Sequence, residues 1–299
     1  MVSVGEDAAP GFLEASGGRT IAYAQIGDPD GTPAFVLHGT PGSRLSGRHP
    51  DPSRVADAGL RVITYDRPGY GRSTRDPGRA VVDCVADIAA IADALGIERF
   101  VVTGGSGGGP HALAAGARLP ERVIRVGCNV GCAPYNAPDL DWFQGMDPEN
   151  VKELGWALEG EETLVRELGR EAEEMLGRLD EDPAALLADF QLSEADQTVL
   201  RDQIVRERIR KSLREALAAG VWGWADDDLA FVRPWGFDVE EIRVPVQVRY
   251  GAGDVLVPAG HGEWLACHVP NANVVVDHEA GHLSTPDEHL ERLRSLLAS

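Results

Sequence analysis

Val101-Val102-Thr103-Gly104-Gly105-Ser106-Gly107-Gly108-Gly109-Pro110 is the stretch whose reading decides the fold. A β-branched run ends in a serine boxed by glycines, and Ala-rich helical sequence follows. The pattern is strand, sharp turn, helix, with G-x-S-x-G at the turn. A serine at such an elbow is forced into strained backbone, and Gly104 and Gly108 leave room for strand and helix to approach. Ser106 Oγ then stands exposed at the carboxyl end of a sheet, beside a helix N-terminus. Taken alone, the same residues read as readily as a glycine-rich connection. A phosphate-cradling P-loop is disfavoured, because no Gly-Lys-Ser/Thr follows.

Upstream of the elbow, Phe12-Leu13-Glu14 and Thr20 to Ala24 flank Ser16-Gly17-Gly18 and read as a β-hairpin. Pro33 to Leu37 and Leu60 to Tyr65 are short apolar strands, and Val81 to Leu95 repeats its apolar residues at helical spacing before Gly96. Downstream, Pro110 to Arg118 reads as a helix and Val123 to Cys128 as a strand. Strands alternating with helices predict a parallel sheet covered on both faces. From Asp139 to about Ala230 the chain is polar and helix-favouring, which predicts an inserted helical cap. Val244 to Tyr250 restarts the strands, Val257 to His268 is helical, Asn273 to Val276 is the last strand and Pro286 to Leu297 the closing helix. The expected division is a core domain over 1–133 and 237–299, with the cap over 134–236.

The chain has 299 residues, 43% hydrophobic and 25% charged, which suits a globular fold with a sizeable core. Its 28 basic and 48 acidic residues give a net charge of -20, which repels phosphate backbones and anionic lipid. Nucleic acid and membrane are therefore not expected as partners. A small-molecule substrate is, and a homodimer is left open. Met1 to Pro10 shows no basic-then-apolar leader and is expected to be disordered, so the expected location is cytoplasmic. Cys84, Cys128, Cys132 and Cys267 lack metal-ligand spacing and read as reduced core residues.

A serine hydroxyl is a weak nucleophile at neutral pH and needs a base, which in turn needs an acid to hold its tautomer. Asp254 directly follows a strand of the second half, and His282 follows the last strand, giving the order Ser106, Asp254, His282 along one rim. His278 is the rival base and Asp277 the rival acid. His111 reads as buried structure behind the elbow; His49, His261, His268 and His289 read as solvated surface. Asp226-Asp227-Asp228, in the cap, reads as a solvated face. An oxyanion hole needs two N–H donors. Gly107 is one candidate, and Thr40 in His38-Gly39-Thr40-Pro41-Gly42 is the other, since Pro41 restricts Thr40 and lacks an N–H of its own.

With these residues in place, the chain resembles the α/β-hydrolase-fold superfamily, and in particular a serine esterase with a helical cap. The resemblance rests on His38-Gly39-x-Pro41-Gly42, Asp66-x-x-Gly69-x-Gly71-x-Ser73, the elbow at Ser106, Gly251-x-x-Asp254 and Gly281-His282. It implies a mostly parallel eight-stranded sheet, acyl-enzyme chemistry on an ester or lactone, no metal and no organic cofactor, and a mainly structural Asp66 to Ser73 loop. It leaves the substrate open. Three alternatives stay open: an aminopeptidase of the prolyl iminopeptidase type, with Asp226 to Asp228 receiving an ammonium; C–C hydrolysis or perhydrolysis by the same triad; and a non-enzymatic ligand receptor.

Two local features need a reading of their own. His278-Glu279-Ala280-Gly281-His282 matches the zinc pattern H-E-x-x-H, but it follows a strand and contains Gly281, so a zinc site is not expected. Gly105 and Gly107 replace the larger neighbours common in this superfamily; the missing side chain at Gly107 either widens an acyl pocket or only relieves strain. Among the cap aromatics, Trp142, Phe143, Trp222 and Trp224 are the candidate substrate-binding residues, with Trp156, Phe231 and Trp235 nearby.

Overall fold

The computed structural model describes residues 9–181 and 189–298, so residues 1–8 of the expected disordered start lie outside it. Eight strands form one sheet: β1 (Gly11–Glu14), β2 (Thr20–Gly27), β3 (Thr32–Leu37), β4 (Leu60–Tyr65), β5 (Phe100–Gly105), β6 (Val123–Asn129), β7 (Val246–Gly251) and β8 (Ala272–Asp277). Their spatial order is β1-β2-β4-β3-β5-β6-β7-β8. Only β1 with β2 and β2 with β4 pair antiparallel; all other pairs are parallel. The carboxyl ends of β3, β5, β7 and β8 therefore share one rim.

Alternation along the central strands builds two cores. Phe35, Leu37 and Val102 pack with Ile88 and Ile91 of α2 (Cys84–Ala94) and Leu113 of α3 (Gly108–Arg118). Ala34, Val36 and Val101 face the other way, against Val55 of α1 (Pro52–Asp57) and Leu290, Leu293 and Leu296 of α10 (Pro286–Ala298). Successive residues of β3 thus serve opposite faces, as the period of two requires. Two elements begin just after a proline. β7 starts after Pro245, and α9 (Ala259–His268) starts after Pro258, each two residues later than the apolar runs imply.

Between β6 and β7 the described residues hold five α-helices: α4 (Pro148–Glu159), α5 (Glu161–Glu181), α6 (Glu194–Leu200), α7 (Gln203–Ala216) and α8 (Trp222–Phe231). They have their own core of Leu164, Leu168, Ala216, Leu217, Trp224 and Leu229, which also takes in Tyr70. Helix α8 is buried from Gly223 to Phe231, and its Ala230 and Phe231 join the sheet's core. It is the seam between insertion and sheet. Cys84, Cys128 and Cys132 are buried free thiols, whereas Cys267 is exposed on α9, contrary to its expected place in the core. Among the described residues no helix is long and apolar enough to cross a membrane.

Candidate active site

β5 delivers Ser106 at φ +54°, the left-handed region that a serine rarely occupies. The strain is held by the frame: Ser106 N–H donates to Asn129 O at the end of β6, at 3.0 Å, and Gly109 N–H donates to Ser106 O at 2.8 Å. A Cβ on Gly104 would collide with the Gly108 carbonyl, so only glycine lets α3 cross this close to β5. These contacts fix the serine at the rim.

Asp254 follows β7 with its side chain fully buried. One carboxylate oxygen, Oδ1, accepts the Leu256 and Val257 N–H groups, both at 2.9 Å. The other, Oδ2, lies 2.8 Å from Nδ1 of His282, whose side chain is 8% exposed. The acceptor-only carboxylate places the imidazole proton on Nδ1 and leaves Nε2 as an acceptor. Burial opposes the imidazolium, but the Asp254 charge and hydrogen bond outweigh it, and the His282 pKa is raised. Ser106 and His282 both line one cavity of about 520 Å³. Among the described residues no hydrogen bond joins Ser106 Oγ to His282; such contacts are often loose before substrate arrives.

Gly39, Thr40, Pro41 and Gly107 line the same cavity, with the Thr40–Pro41 peptide in the cis form. Thr40 Oγ1 donates to Asp227 Oδ2 at 2.6 Å. That carboxylate, 0% exposed, also receives Arg67 at 2.5 Å, Arg79 at 2.6 Å and the Tyr70 hydroxyl at 2.9 Å. Arg67 continues to the Gly39 carbonyl at 3.0 Å and to the His38 carbonyl. Burial works against the Asp227 charge, but Arg67 and Arg79 hold its carboxyl well below the ordinary range.

The expected solvated face at Asp226 to Asp228 is therefore overturned. All three are buried, Asp226 paired with Arg75 at 2.8 Å and Asp227 clamping the Thr40 loop. Asp228 sits with Glu153, which also accepts Trp224 Nε1–H at 2.7 Å. Burial and then Glu153 push the Asp228 pKa well up, and burial pushes Glu153 to about 7.

Of the two readings of Gly107, the widened acyl pocket is excluded. A Cβ there would collide with Thr40 Oγ1 and lie 3.0 Å from the Phe231 ring, so the space beside this glycine is filled rather than open to a substrate. The Thr40 side chain passes through that gap on its way to Asp227.

Sequence reasoning missed Asp196 of α6 altogether. It is buried; its Oδ1 accepts the Leu283 N–H at 2.6 Å and its Oδ2 the Ser193 hydroxyl at 2.8 Å, so the insertion also grips the loop carrying His282. No local signal marks this residue, because its partner lies 87 positions away.

The remaining candidates sort by position. His278 is exposed, and Asp277 makes no hydrogen bond to His282, so the bond falls to Asp254. The H-E-x-x-H residues lie in the turn after β8, without the helical face that zinc chemistry needs. His261, expected in solvent, is buried, accepting from Ala133 N–H and contacting the Trp142 carbonyl. His289, also expected in solvent, lines the cavity. Trp142, Trp224 and Phe231 line it too. Phe143 instead stacks edge-on against Tyr135 and Trp142, and Trp222 lies under Arg75, 38% exposed; neither lines the cavity.

A mostly parallel sheet with a strained serine at its rim, and a carboxylate-held histidine on the wall of the same cavity, is an arrangement shared by a class of hydrolases. Residues 33–288 match the family described as alpha/beta hydrolase fold, and the chain belongs to that family. It is 30% identical to a pimeloyl-[acyl-carrier protein] methyl ester esterase of Aromatoleum aromaticum, over 77% of this chain and 85% of that protein. It is 34% identical to a proline iminopeptidase of Xylella fastidiosa over 44% of this chain, a match spanning only 42% of that relative's length. A thermophilic esterase from Thermogutta terrifontis superposes with a TM-score of 0.69 at 26% identity, covering 97% of this chain and 98% of that one. The enol-lactonase of Burkholderia xenovorans shares the fold with a TM-score of 0.68 at 23% identity, covering 97% of this chain and all of the other.

Proposed function

We propose that the protein is a serine hydrolase of carboxylic esters or lactones of a small molecule. His282, oriented by Asp254, takes the proton of Ser106, whose Oγ attacks the carbonyl carbon. The N–H groups of Thr40 and Gly107 receive the oxyanion, His282 protonates the leaving group, and water repeats the sequence on the acyl-enzyme. The observation that carries this reading is the 2.8 Å His282–Asp254 bond on the wall of the cavity that Ser106 enters. The similarity to a methyl ester esterase over most of both chains supports the ester bond. The net charge of -20 keeps nucleic acid and anionic membrane out of the proposal.

Ser106→Ala is expected to lower kcat on nitrophenyl esters by about 10⁴-fold or more, the scale seen when a triad nucleophile is lost. A variant that kept its rate while folding normally would remove Ser106 from the mechanism.

A second reading, an aminopeptidase, is favoured by one observation: Glu153 and Asp228 line the same cavity and could receive a substrate ammonium. Relative rates on proline naphthylamide and nitrophenyl esters separate the two. Faster turnover of the amide would favour the aminopeptidase.

A further inference from the structure

Charge on the cavity wall is compensated in one part and not in another. From α4 and α5, Lys152 pairs with Glu149 and, at 3.4 Å, with Glu171, and Arg178 pairs with Asp189. Glu153 and Asp228, with raised pKa values, sit together and share hydrogen-bonding protons. From α7 and α10 the cavity is lined by Arg208, His289 and Arg292. Among the described residues, no ion pair ties any of these three to a carboxylate, although the Glu288 and Asp277 charges act on Arg292.

Arg208 is the sharpest case. It donates to the Ser46 carbonyl at 2.5 Å, but its Nε is sealed from solvent with no hydrogen-bond partner. Nε2 of His289 is sealed and unpartnered in the same way. Burial alone moves the Arg208 pKa down, to about 10. Burial and then Arg208 and Arg292 take His289 down to about 3, so His289 lies within electrostatic reach of both arginines. Arg292 also acts on His282, which ties the cluster to the reacting end of the cavity.

A half-buried guanidinium with a sealed, unpartnered Nε and no ion-pair partner among the described residues is costly to keep. A carboxylate arriving in the cavity would remove that cost. Its oxygens could accept from the guanidinium N–H groups that Ser46 does not take. We propose that Arg208, supported by Arg292 and His289, is a subsite for a carboxylate carried by the substrate at a distance from the scissile carbonyl. This rests on reading the cavity as a hydrolase substrate site, and the substrate class it names is half-esters of dicarboxylic acids or lactones bearing a carboxylate.

The test compares mono-(4-nitrophenyl) glutarate with 4-nitrophenyl valerate in the wild type and in Arg208→Met, alongside calorimetric titration of both proteins with glutarate. The wild type is expected to prefer the charged ester at least tenfold in kcat/KM. In Arg208→Met that preference should collapse, mainly through KM, and glutarate binding should weaken at least tenfold. Arg292→Gln should act in the same direction by a smaller factor, and it stands in should Arg208→Met not fold. Equal rates on the two esters in the wild type, or equal losses on both in the variant, would overturn the proposal. If neither ester is cleaved, the esterase reading fails and the titration decides alone: wild-type binding lost in the variant upholds the subsite, and no binding to the wild type refutes it.

Discussion

The strand ends and the helical insertion contribute to the site in different ways. Ser106 and Asp254 are placed by backbone hydrogen bonds within the sheet or just beyond it, and His282 is oriented by Asp254. The insertion supplies buried carboxylates that hold loops: Asp227 grips the Thr40 loop and Asp196 grips the His282 loop. Strand ends set where the proposed reacting atoms are. The insertion sets how firmly the Thr40 and His282 loops stay there, using carboxylates that are sealed from solvent and fully partnered.

That contrast can be broken at its most expensive point. Asp227→Asn would leave Arg67 and Arg79 buried without their counter-ion, a change expected to cost about 3–5 kcal/mol of stability. The urea midpoint measures it, and a variant as stable as the wild type would show that the insertion does not clamp the sheet through this carboxylate. Thr40→Val removes one hydrogen bond to the same group and leaves an acceptor poorer by a donor, worth about 1–3 kcal/mol. If the clamp aims the Thr40 N–H, the loss falls on kcat, roughly tenfold to a hundredfold, with KM nearly unchanged. Thr40→Ser should recover most of it; equal losses in both variants would assign the effect to packing instead.

The smallest effect is in pH. Because the His282 pKa is raised and the base works only when neutral, kcat/KM should fall with acidity through a midpoint above the ordinary imidazole value of about 6.5. Asp196 is among the charges that raise it. Asp196→Asn therefore should move the midpoint down by about a few tenths of a unit, which a pH profile of kcat/KM resolves. A shift upward would contradict this arrangement.

The same contrast explains how much could be read in advance. G-x-S-x-G after a β-branched run, and an Asp and a His after later strands, are local patterns whose geometry follows from strand, turn and helix. The fold and the positions of Ser106, Asp254 and His282 were legible for that reason. Asp226-Asp227-Asp228 was misread because a charge run on a helix normally faces solvent; its partners Arg67, Arg75 and Arg79 lie about 150 residues earlier, where no helical period could reveal them. At Gly107 the sequence could not choose between an open pocket and relief of strain, because the residue that fills the space, Thr40, comes from a different loop. The aromatics divided for an equally tertiary reason: Trp222 and Trp224 stand two positions apart on α8, and only the second turns into the cavity.

The central claim is that Ser106 is the nucleophile of this site. Treating the protein with a fluorophosphonate and mapping the adduct by mass spectrometry tests it most directly. The account predicts one covalent adduct, on Ser106, lost in Ser106→Ala and slowed when His282 is replaced by Ala. Labelling on another residue, or an undiminished adduct in Ser106→Ala, would contradict it.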